Sequence, residues 1–127
     1  MKRKVLVVDD EADFLKIVKL NLEETGSYEV LTLLSAKDIV SKARAFKPDI
    51  ILLDIIMPGI KGIEACEMLN NDPELARIPV VILSALEKDA DKLKAFKVGV
   101  VGYMVKPIEK EGLINKIESF IRSANEK

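Results

Sequence analysis

The chain contains no histidine. That excludes Ser-His triads, His-based zinc sites and a phosphohistidine carried on this chain, and leaves carboxylates, hydroxyls and lysines for any chemistry. Its single cysteine, Cys66, cannot form an internal disulfide. It falls where a small apolar residue suits a helix face, so inert packing is expected. Long apolar runs are missing too. The longest fall far below the roughly 18–20 residues needed to span a bilayer. Val5 to Val8, after a basic N-terminus, is too brief for a signal-peptide apolar region. A cytoplasmic location with no membrane partner is the expectation. Twenty Lys and Arg against 21 Asp and Glu give a net charge of -1, and no run of Lys or Arg makes a basic stripe. Direct nucleic-acid binding is therefore not expected. Repeats, low-complexity stretches and linkers are absent. At 49% hydrophobic and 32% charged over 127 residues, residues 1–127 read as one globular domain with one core.

What is present is an alternation of two patterns. Lys4 to Val8, Ile50 to Leu53 and Pro79 to Leu83 are continuous apolar runs, as expected of central strands buried on both faces of a parallel sheet. Tyr28 to Thr32 alternates, and Val101 to Val105 carries a glycine, so both read as strands nearer a sheet edge. Between them lie segments of helical spacing. These are Phe14, Leu15, Val18 and Leu22; Ala36, Ile39, Val40 and Ala43; Ile63, Cys66 and Leu69; Ala90, Leu93 and Phe96. A fifth helix carries Leu113, Ile114, Ile117, Phe120 and Ile121. Strand-helix alternation with right-handed crossovers predicts an α/β three-layer sandwich. Its doubly wound, five-stranded parallel sheet takes the order 2-1-3-4-5, the flavodoxin-like arrangement, with a crevice between the first and third strands.

In such sheets ligands bind beyond the carboxyl ends of the strands. There the sequence places Asp9 and Asp10 after the first strand, Asp54 at the end of the third, Ser84 at the end of the fourth and Lys106 at the end of the fifth. The three aspartates, with Glu11 adjacent, repel one another by on the order of 4 kcal/mol per pair at ~4 Å and an effective dielectric near 20. A cation is required. Oxygen donors without His or Cys suit a hard divalent ion such as Mg²⁺. Metal, the Lys106 ammonium and the Ser84 hydroxyl together match the needs of a phosphoryl group in transfer, with Asp54 as nucleophile.

The ordered set resembles the receiver domains of two-component response regulators, over essentially the whole chain from Lys4 to the final helix. Asp9-Asp10 resembles the family's acidic pair. Asp54 followed by Met57-Pro58-Gly59 and Gly62 resembles its phosphorylated aspartate and following loop. Ser84-Ala85 resembles the hydroxyl position, Tyr103 the switch aromatic, and Lys106-Pro107 the lysine with its proline, usually joined by a cis bond. The resemblance implies Mg²⁺ held by Asp10, Asp54 and the backbone carbonyl of Ile56, with Asp9 acting largely through water. It implies Lys106 and Ser84 on the phosphoryl oxygens and Tyr103 turning inward. A sensor histidine kinase or phosphotransfer protein is the implied donor. The implied signal leaves through the face built from the fourth helix, the fifth strand and the fifth helix. The domain would be a phosphoacceptor that assists its own phosphorylation and dephosphorylation, not an enzyme with a separate substrate.

Each residue also has a plainer reading. Asp9-Asp10 and Ser84 could cap helices, Asp54 could open a loop, Lys106 could be solvated, and Tyr103 could be packing. Their joint placement at one sheet edge favours the site. Ile56 and Leu86 depart from the family by being apolar where polar groups are common, which points to slow hydrolysis of the acyl phosphate. A flavodoxin-like electron carrier is disfavoured because Asp9, Asp10 and Glu11 would repel a flavin phosphate. A metal-dependent phosphatase would place its nucleophile on the first strand. A degenerate receiver would not keep all five polar residues.

Overall fold

A computed structural model describes residues 2–54, 62–84 and 99–125, with Ser84 described through its backbone. The elements are β1 (Arg3–Val8), α1 (Ala12–Glu23), β2 (Tyr28–Leu33), α2 (Ile39–Phe46), β3 (Ile50–Asp54), α3 (Gly62–Asn70), β4 (Val80–Ser84), β5 (Gly102–Val105) and α4 (Lys110–Asn125). The five strands form one sheet of order β2-β1-β3-β4-β5. All four pairings are parallel. The predicted order and the flavodoxin-like three-layer arrangement are therefore observed. The helix expected at Ala90, Leu93 and Phe96 lies outside the described residues, as do Ile56, the Met57-Pro58-Gly59 loop and Leu86.

The pleat divides the core in two. Leu6, Val8, Ile51, Leu53, Val80 and Ile82 face α2 and α3, where Ile39, Ala43, Ala65, Cys66 and Leu69 meet them. Their strand neighbours Val5, Val7, Ile50, Leu52, Val81 and Leu83 face Leu15, Val18 and Leu22 of α1 and Leu113, Ile117 and Ile121 of α4. Because successive side chains point to opposite faces, a strand buried on both faces must be apolar throughout. β3 is the extreme case, buried at every position and apolar until Asp54 at its end. Cys66 is 2% exposed, and burial pushes its thiol up to about 12, so its inert reading holds.

Two departures from the spacing have local causes. Ala36 shares the apolar stripe of α2 and is 2% exposed, yet the helix starts at Ile39, whose N–H donates to the Ala36 carbonyl across a turn. Gly102 does more than mark an edge strand. A Cβ there would lie 2.4 Å from the Phe120 ring of α4, which closes directly over the β5 backbone.

A clasp ties α2 to the segment after α3. The Arg44 guanidinium donates to Asp72 Oδ2, while Asp72 Oδ1 accepts the Glu74 N–H at 2.9 Å. Burial works against the Asp72 carboxylate. The Arg44 bond and the Glu74 and Leu75 N–H groups outweigh it and hold the carboxyl below its usual range.

Two predictions follow from this packing. Gly102→Ala drives a methyl into the Phe120 ring and should lower stability by about 1–3 kcal/mol, the usual cost of overpacking. Urea titration of the variant alone and with Phe120→Leu checks it, the second change recovering part of the loss. The Asp72 contribution is full above the unfolded carboxyl value near pH 4 and is lost as pH falls through the lower folded value. The gap in urea midpoint between native and Asp72→Asn should therefore be wide at neutral pH and narrow at about pH 2–3.

Candidate functional site

Parallel strands deliver all their carboxyl ends to one edge of the sheet, and the sequence ends its strands there with charge. The chain leaves β1 with the Asp9 N–H bonded to the Leu33 carbonyl of β2 at 3.0 Å. Asp9 Oδ1 then accepts the Glu11 N–H at 2.9 Å, a tight side-chain turn that leads into α1. Glu11 occupies the N-cap of α1 without a side-chain capping bond. The acids after β1 therefore shape the loop and do not cap the helix through their side chains.

Asp9 is fully buried, and Asp54, the last residue of β3, is 7% exposed. Asp10 and Glu11 are exposed. One carboxylate oxygen from each of these four residues lies within 4.8 Å of the others. Lys106, immediately after β5, reaches across the end of β4 into this group. Its Nζ lies 2.5 Å from Asp9 Oδ2, 3.0 Å from Glu11 Oε1 and 3.6 Å from Asp54 Oδ2. The ammonium also sits 4.4 Å from the centroid of the Phe14 ring, a cation–π distance. Burial opposes the charge on Lys106. The contacts to Asp9 and Glu11 and the charge of Asp54 outweigh it and raise the group above the ordinary lysine range. It is a fixed cation at any physiological pH.

Among the described residues, one ammonium meets this group of four carboxylates. Asp9 Oδ2 is sealed from solvent and makes no well-aligned hydrogen bond; its Lys106 contact is an ion pair by distance alone. Oxygen-only donors, one of them a buried carboxylate oxygen without a hydrogen bond, fit a hard divalent cation such as Mg²⁺.

Of the predicted site residues, Asp9, Asp10, Asp54 and Lys106 come together. Ser84 ends β4 opposite Val105 in register, beside Asp54 and Lys106 along the same edge. Lys106-Pro107 is cis. Tyr103 is half-buried on β5, against the cluster under α2 and α3. Ile56 is outside the described residues. Sequence reasoning gave no role to Glu11 beyond its charge and assigned Phe14 to the buried stripe of α1. Their three-residue spacing across the first helical turn puts them on one face, and that was the available signal.

Residues 5–118 match the response regulator receiver domain family. The chain is 34% identical over 118 residues to protein PilH of Pseudomonas aeruginosa, covering 93% of this chain and 97% of PilH. It is 33% identical over 122 residues to the alkaline phosphatase synthesis transcriptional regulatory protein PhoP of Bacillus subtilis, covering 96% of this chain and 50% of PhoP. It thus spans about half the length of PhoP, and of the phosphate regulon regulatory protein PhoB of Rhizobium meliloti, where the share is 54%. The solved chemotaxis protein CheY4 of Vibrio cholerae superposes with a TM-score of 0.89 at 28% identity, covering 94% of this chain and 99% of that one. With this fold, this acidic edge and a family match across nearly its whole length, the chain belongs to the receiver domains of two-component response regulators.

Proposed function

We propose that Asp54 is the phosphoacceptor of this receiver domain and that Asp10 and Asp54, with the Ile56 carbonyl, hold the Mg²⁺ its chemistry uses, Asp9 acting on the ion largely through water. Phosphoryl transfer with Mg²⁺ is standard for the family. The observation that carries the assignment is the Lys106 ammonium, lodged among Asp9, Glu11 and Asp54 with its nitrogen 3.6 Å from Asp54 Oδ2. An oxygen of Asp54 attacks phosphorus and a P–O bond forms. The bond from phosphorus to the donor breaks, and its electron pair leaves on a histidine nitrogen of the donor or, with acetyl phosphate, on an acetate oxygen. Lys106 and Ser84 then meet the charge on the phosphoryl oxygens. A bound divalent ion neutralises the same charge and lessens repulsion between donor and carboxylates.

The donor is a sensor histidine kinase or phosphotransfer protein. Charge added at Asp54 draws Ser84 and Lys106 towards it and biases Tyr103 inward. The signal passes through β5, the segment before it and α4 to a protein partner. A net charge of -1 gives this domain no general attraction for nucleic acid. The domain acts on itself, assisting gain and loss of its own phosphoryl group, and the apolar Ile56 and Leu86 slow the loss.

Intact mass spectrometry after incubation with Mg²⁺ and acetyl phosphate should add one phosphoryl mass to the native chain and none to Asp54→Asn. Equal addition to both, or addition to neither, would mean that Asp54 is not the acceptor. Once loaded, Ile56→Asn should lose its phosphate several-fold faster than the native chain, measured as release of inorganic phosphate; an unchanged rate would remove the role given to Ile56.

A further inference from the structure

Lys106 must serve the phosphoryl group, yet its ammonium is already surrounded. It has three donors, and Asp9 Oδ2 and Glu11 Oε1 lie at 2.5 and 3.0 Å while the Phe14 ring covers another side at 4.4 Å. Asp54 Oδ2, at 3.6 Å, is the most distant of its three carboxylate contacts. For Lys106 to close on a phosphoryl group attached to Asp54, one of the nearer contacts has to give way. Asp9 is fully buried, so losing its ammonium would strand a charge away from water, which is costly. The Glu11 side chain is 63% exposed, and water replaces what it loses. Glu11 is the contact that yields.

Resting on the phosphoacceptor reading of Asp54, we propose that Glu11 is a positioning residue: it holds Lys106 back in the unphosphorylated domain and competes with the phosphoryl group for it. Glu11 lies at the N-cap of α1, fixed there by its N–H to Asp9 Oδ1, so its carboxylate approaches Lys106 from the solvent side of the site. Release of this latch accompanies phosphorylation. It sets how readily the domain takes up and keeps the group, since every gain at phosphorus is offset by the ion pair given up.

Two variants separate a latch from a plain charge effect. Glu11→Gln keeps the length and removes the charge. Glu11→Asp keeps the charge and draws the carboxylate back by about 1.5 Å, one C–C bond. Calorimetric titration with beryllofluoride in Mg²⁺, a mimic of the phosphoryl group, should show both variants binding on the order of two- to fivefold tighter than the native chain, the range of an exposed ion pair. In carbon-proton NMR spectra the Lys106 ε-methylene signal should be displaced in both variants before beryllofluoride is added and should coincide with the native signal afterwards. Tighter binding by Glu11→Gln alone would show simple charge repulsion and overturn the latch, as would native affinity in both variants or an undisplaced Lys106 signal. Failure of the native chain itself to bind beryllofluoride would overturn the phosphoacceptor reading and the latch with it.

Discussion

Charges of one sign resist being gathered, and this fold gathers four carboxylates at the end of a sheet whose central strands are mostly hydrocarbon. Asp9 and Asp54 stand with almost no water around them, where an unpaired charge is most costly. The arrangement survives because Lys106 is brought to them from a strand two places from β3 and three from β1 in the sheet, and because Asp9 spends one oxygen on the Glu11 N–H. The rest of the molecule serves this balance. Parallel strands fix the carboxyl ends on one edge, and the two helical layers hold the strands in register.

Among the described residues the carboxylates outnumber the ammonium that meets them, a set of oxygen donors that suits a hard divalent cation. The same carboxylates set this domain apart from a flavin carrier of like fold, whose first loop offers donors to a phosphate where this chain offers acids.

Much of this was legible in the sequence because burial on both faces of a parallel strand leaves an unmistakable run. The runs Lys4 to Val8, Ile50 to Leu53 and Pro79 to Leu83 have no other comfortable place, and the polar residues that follow them mark strand ends. The less legible features rest on contacts between distant positions. Ala36 satisfies a helical spacing because it is buried, and burial alone does not reveal that its carbonyl closes a turn before α2 begins. Gly102 looks like a weakness in an edge strand until Phe120, 18 positions on, is seen to need the space. The Arg44–Asp72 and Glu11–Lys106 pairs join residues 28 and 95 positions apart, and charge carries no periodicity that would announce them. Tertiary pairing of charged residues is therefore where reading by pattern stops.

The sheet also works as a partition. Side chains of one strand alternate between two cores that share no member, the one under α2 and α3 and the one under α1 and α4. Each compartment can be refilled with different apolar shapes while its neighbour keeps its own packing, provided that the strands between stay where they are. On β5, Tyr103 packs against one compartment while Gly102 and Met104 beside it face the other. Because neighbouring residues of that short strand reach into both compartments, the packing on either side of the wall bears on where the strand lies.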